Sequence, residues 1–147
     1  MTWSPGKWSA ILFACGSLLL SPSGAWACTL VPPPKGDTAQ ARNERLAKFS
    51  RDQFRSAESV ALVRVTRAQA TSRPALAKPV HVFKGDLRAP VLLPMPTSCG
   101  GRKWRAGEFA VVYLQDGSRV FDAVPPDGVA DPGFARDVKR AVSENQR

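Results

Sequence analysis

Asp116-Gly117 sits between two runs of strand-forming residues, 108–114 and 120–124. Aspartate tolerates positive φ and glycine adopts it freely, so this dipeptide commits the chain to an antiparallel hairpin. The first run contains Phe109-Ala110-Val111-Val112-Tyr113-Leu114, the most apolar stretch after residue 27, and predicts a central strand. Three further short strands precede it, at 60–65, which is rich in β-branched residues, 80–83 and 91–93. Lys84-Gly85-Asp86 closes the second run as a turn. Pro94, Pro96 and Gly100-Gly101 bracket Cys99 in a loop that no regular element could contain. Two helices flank the strands. Asp37, with Gln40 three residues on, resembles a capping box opening a helix over 38–56, with Leu46, Phe49 and Phe54 near 3.6 spacing. Asp131 caps and Pro132 starts a closing helix to about residue 144, with Phe134, Val138, Ala141 and Val142 on one face. The expected fold is mainly β with flanking helices. Five strands of this size can close a small barrel.

The chain before this domain reads as an export signal. A leader bearing Lys7 precedes the uncharged, mostly apolar run 10–20, which Ser21-Pro22-Ser23-Gly24 breaks. Ala25 and Ala27 then supply the small residues that a signal peptidase requires. The run is too short to span a bilayer as a helix. Cleavage after Ala27 divides the chain into a signal peptide, 1–27, and a single domain, 28–147, whose barrel reaches about residue 125. The expected destination is the periplasm or the medium, with no transmembrane segment in the processed chain.

Of the three cysteines, Cys15 departs with the signal, leaving Cys28 and Cys99. Outside the cytoplasm an even pair without metal-ligand spacing reads as a disulfide. Closing a loop of about 70 residues, it would restrain the unfolded chain by roughly 4 kcal/mol in the chain-entropy description. Lipid attachment at Cys28 is the competing reading. Lipoprotein sites usually carry a leucine-like residue three positions before the cysteine and a small one two before, where this chain has Ala25 and Trp26.

The net charge is +9. Arg42, Arg45, Lys48, Arg51 and Arg55 lie about three apart, which spreads them around a helix. Glu44 with Lys48 and Asp52 with Arg55 stand at pairing distance. The basic residues read as scattered along the chain, and no aromatic residues interleave with them as a nucleic-acid platform needs. No nucleic-acid partner is therefore expected, whereas an anionic envelope component is a candidate.

Catalysis is the reading the residues favour least, although two carboxylates converging in space would still make an acid/base pair. His81, the only histidine, reads as an outward polar residue on a strand. A paired Cys28 and Cys99 leave no thiol nucleophile. Asp122, Asp127 and Asp131 do not follow a calcium-loop pattern, and capping or turn roles account for Asp127 and Asp131. No cofactor and no bound metal are expected.

Cys28-Thr29, with Val31-Pro32 one residue on, resembles the opening of the tissue inhibitors of metalloproteinases. Ser98-Cys99-Gly100 resembles the place where that family's first cysteine finds its partner. Phe83-Lys84-Gly85-Asp86 and Gly107-Glu108-Phe109 are similar to bacterial proteins of the same netrin-like, OB-barrel group. The resemblance implies an inhibitor whose terminal cysteine chelates the zinc of a metalloprotease through its α-amino nitrogen and carbonyl oxygen. Cys28 would chelate, Thr29 would enter the specificity pocket, and Leu30, Val31 and Pro32 would lie along the cleft. Thr97 and Ser98 would form the adjoining contact. An α-amino group titrating near pH 8 can donate its lone pair at neutrality, and a catalytic zinc keeps an open position for it. The family's second N-terminal cysteine is absent, since Leu30 stands there, as are its further disulfides and its C-terminal subdomain. The alternative is a non-catalytic OB-type binding module with a basic surface, in which Cys28 is purely structural.

Overall fold

The computed structural model describes residues 36–97, 100–117 and 119–147. The export signal, the segment from Cys28 to Pro32, Ser98 and the Cys28–Cys99 pairing lie outside the described residues.

A helix, α1 (Ala39–Ser56), leads into strands β1 (Ser59–Arg67), β2 (Leu76–Lys84), β3 (Val91–Leu92), β4 (Phe109–Gln115) and β5 (Arg119–Val124). A single 3-10 turn (Pro126–Gly128) then passes the chain to α2 (Pro132–Glu144). The strands are antiparallel throughout and follow the order β3-β2-β1-β4-β5. β5 curls back toward β3, giving a nearly closed five-stranded barrel of OB-like shape with one helix before the strands and one after them. β4 is an interior strand as expected, and β1 sits at the middle of the order. Asp116 (φ 52°) and Gly117 (φ 74°) turn the β4–β5 hairpin, and the Glu58 carboxylate accepts from the Gly117 amide at 2.9 Å.

Two apolar layers account for these elements. Inside the barrel lie Ala61, Val63 and Val65 of β1, Ala110, Val112 and Leu114 of β4, and Trp104 from the loop before β4. The alternate residues Val60, Leu62, Val111 and Tyr113 face outward and are covered by Val138 and Ala141 of α2. The first five residues of β1 are therefore buried without alternation, from Ser59 to Val63. Beyond them the cover ends and alternation returns, with Arg64 exposed, Val65 buried and Thr66 exposed.

The closing helix forms as expected. The Asp131 carboxylate accepts from the Phe134 amide at 3.0 Å, Pro132 occupies the first turn, and Phe134, Val138, Ala141 and Val142 pack on the outer layer. The opening helix departs from expectation in three ways. Thr38, not Asp37, is the N-cap, its hydroxyl accepting from the Ala41 amide at 3.1 Å. Asp37 turns to Arg45 at 2.6 Å and Arg42 at 3.7 Å, and the Arg45 hydrogen bond holds its carboxyl below 3.8. The apolar stripe is also only half used: Phe54 packs on the core, while Leu46 is 49% and Phe49 60% exposed. Glu44 bonds Gln40 rather than Lys48, which pairs with Asp52.

Candidate interaction surfaces

The Cys99 loop can be followed through its flanks. Thr97 and Gly100 form an antiparallel bridge, with the Thr97 amide donating to Gly100 at 2.7 Å and the Gly100 amide returning to Thr97 at 3.1 Å. Gly101 has φ 122° and passes so close to Pro96 that a Cβ there would lie 2.7 Å from the Pro96 Cα. Pro94 and Pro96 stiffen the approach to the bridge. Of the residues expected to contact a protease, Thr97 alone is described; Thr29, Leu30, Val31, Pro32 and Ser98 are outside the described residues with Cys28 and Cys99.

A second surface forms where the cover of α2 stops. Arg64 of β1 stands directly opposite Lys78 of β2, both exposed. Like charges facing each other on an antiparallel pair cost about 0.2–1 kcal/mol. Arg67 follows at the end of β1 and Arg73 in the β1–β2 connection, where Ala70 and Arg73 bridge. The loop before β4 adds Arg102, Lys103 and Arg105. Backbone bonds lock it to the same end: Gln69 amide to Trp104 carbonyl at 3.1 Å, and Gly107 amide to Val65 carbonyl at 2.8 Å. Trp104, only 2% exposed, plugs the barrel beneath it.

Seven basic residues thus share this end with a single acidic side chain, Glu108, in segments 64–78 and 102–109. Glu108 is already engaged. It accepts from the Arg105 amide at 3.0 Å and pairs with Arg102 at 3.2 Å, and the amide bond above all holds its carboxyl below 4.5. The Arg102 guanidinium also lies 5.2 Å over the Trp104 ring, and that of Arg64 lies 5.8 Å over Phe109. Among the described residues the other six cations have no ion-pair partner. The basic residues, scattered along the sequence, are thus partly gathered by folding, seven of the 21 lying at this end. A signal existed in the sequence, because Asp86 is the only acidic residue between Glu58 and Glu108.

The remaining polar features are structural. The cleft between α1 and α2 holds about 230 Å³ and is bridged by the Arg51–Asp131 ion pair at 3.0 Å. Asp122 accepts from the Gln53 amide at 2.6 Å and so ties α1 to β5. His81 is exposed on β2 with its ring 4.7 Å from that of Phe83. Among the described residues no group of three or more His, Cys, Asp or Glu could hold a metal ion, and no helix is long and apolar enough to cross a membrane. Comparison with known proteins found no matching family model, curated protein or solved structure.

Proposed function

We propose that this chain is a non-catalytic barrel module that binds a polyanionic partner through the end bearing Arg64, Lys78 and the loop before β4. The observation that carries this reading is the uncovered Arg64–Lys78 pair. Strand register holds two cations without an ion-pair partner side by side, a repulsion that an anion between them would relieve. The export signal read in residues 1–27 makes the cell envelope or the medium the setting. The test is binding of the full chain to inorganic polyphosphate across a salt series. Arg64→Gln with Lys78→Gln should weaken it on the order of tenfold and flatten its salt dependence. Equal binding by parent and variant would refute the reading.

A second reading, inhibition of a zinc metalloprotease through the Cys28 amine and carbonyl, draws support from the Thr97–Gly100 bridge and the close packing of Gly101 on Pro96. A rigid loop, brought beside the chelating end by the proposed Cys28–Cys99 bridge, would lower the ordering cost of binding. Acetylation of the Cys28 amine, or one alanine placed before it, should abolish inhibition and leave polyphosphate binding unchanged. Inhibition that survives either change contradicts the chelating role.

A further inference from the structure

We infer that the polyanion met by the basic end is the surface of an anionic lipid bilayer, an inference that rests on the binding role proposed for that end. The charge is arranged as an exposed face, not a groove. Arg64 and Lys78 form one outward row across β1 and β2, and Arg67 pairs in register with Leu76, which pairs with Leu92 on β3. Arg73, Lys103 and Arg105 surround these rows on the adjoining loops.

Apolar side chains within this face distinguish a bilayer from a soluble polyanion. Leu92 is 53% exposed although its neighbours Val91 and Leu93 are buried, and Met95 also reaches solvent in the following loop. Leu92 shares the outer side of the sheet with Leu76, beside Arg67. Cations drawn to anionic headgroups, with an exposed leucine among them able to enter the acyl boundary, match an interfacial surface. Single-stranded nucleic acid would need exposed rings for stacking. Among the described residues Trp104 is buried and Phe109 is half-buried, while the exposed phenylalanines, Phe49 and Phe121, lie on α1 and β5.

The experiment is vesicle co-sedimentation of the full chain with phosphatidylglycerol–phosphatidylcholine vesicles, run beside polyphosphate binding. Because residues 10–20 are themselves apolar, the readout is the difference between variants of one chain. Arg64→Gln with Lys78→Gln removes two cations and should weaken vesicle binding on the order of twentyfold, at about fivefold for each residue near the surface. Arg136→Gln with Lys139→Gln, the same charge change on the exposed side of α2, should have less than a twofold effect. Leu92→Gln should weaken vesicle binding about threefold or more and leave polyphosphate binding unchanged. All these positions are exposed, and thermal melts check that each variant folds. Vesicle binding that ignores the Arg64 and Lys78 changes, or a Leu92→Gln variant that binds vesicles as the parent does, overturns the lipid assignment while polyphosphate binding remains sensitive to Arg64 and Lys78. If polyphosphate binding is also insensitive to those two residues, the underlying binding role fails, and the lipid assignment with it.

Discussion

The ammonium group of Lys84 donates to three carbonyl oxygens at the end of α1: Phe54 at 3.0 Å, Arg55 at 2.8 Å and Ala57 at 2.5 Å. Carbonyls in the last turn have no partner within the helix, and a cation there also meets the negative end of the helix dipole. Lys84 therefore holds α1 to the end of β2. Replacing it with methionine keeps the stem and removes the donors, and should cost about 1–3 kcal/mol in urea unfolding. In the sequence Lys84 was legible only as part of a turn, because its three acceptors belong to residues almost 30 positions earlier. Gly85 beside it was legible for the correct reason: its φ is 71°, and a Cβ would lie 2.6 Å from the Glu58 carbonyl oxygen. Tyr113, the only tyrosine, makes a second prediction at this scale. Burial pushes its hydroxyl up to about 12, opposed by the Ser50 hydrogen bond. The unfolded chain loses that proton near pH 10 and the folded one later, so stability is unaffected below pH 10 and falls as pH rises from 10 toward 12. Phenolate absorbance should therefore appear near pH 12 in the native protein, and Tyr113→Phe should remove this part of the alkaline loss.

The two helices differ in how much of them the sequence disclosed. In α2, cap, proline and apolar face all agree, because local signals and tertiary packing act on the same residues. In α1 the periodicity was present but the partner surface was not: the barrel reaches Ser50 and Phe54 and leaves Leu46 and Phe49 exposed. Periodicity reports which residues share a face and says nothing of how far along the helix that face is covered. Asp131 links the helices, capping α2 through the Phe134 amide and pairing with Arg51 of α1. The Phe134 bond, ahead of Arg51, holds its carboxyl below 3.8. Its contribution is thus present above the ordinary aspartate range and is lost as pH falls through the lowered value. At neutral pH Asp131→Ala should cost about 1–2 kcal/mol in chemical denaturation, whereas Asp131→Asn keeps the cap and loses less than half of that. The asparagine variant should also show a shallower loss of stability below pH 4.

Across the whole molecule, the five strands and the flanking helices follow from apolar runs and turn residues that act locally, whereas the pairing of β1 with β4 is long-range. The basic end is not local either, because it is made by register. Arg64 and Lys78 are separated by a connection and a bridge, and only the pairing of β1 with β2 sets them opposite each other. The loop before β4 joins them through the Gln69–Trp104 and Gly107–Val65 backbone bonds. What the sequence did hold was the near absence of acidic residues between Glu58 and Glu108, and a long acid-free stretch acquires meaning once a sheet folds it onto one end. The location of the charge, rather than its amount, is the central claim. It is tested by comparing two variants of equal net charge, Arg64→Gln with Lys78→Gln and Arg136→Gln with Lys139→Gln, for polyphosphate affinity over a salt series. The account predicts that the first pair loses on the order of tenfold in affinity and part of the salt dependence, while the second stays within about twofold of the parent. Equal losses in the two variants would contradict it.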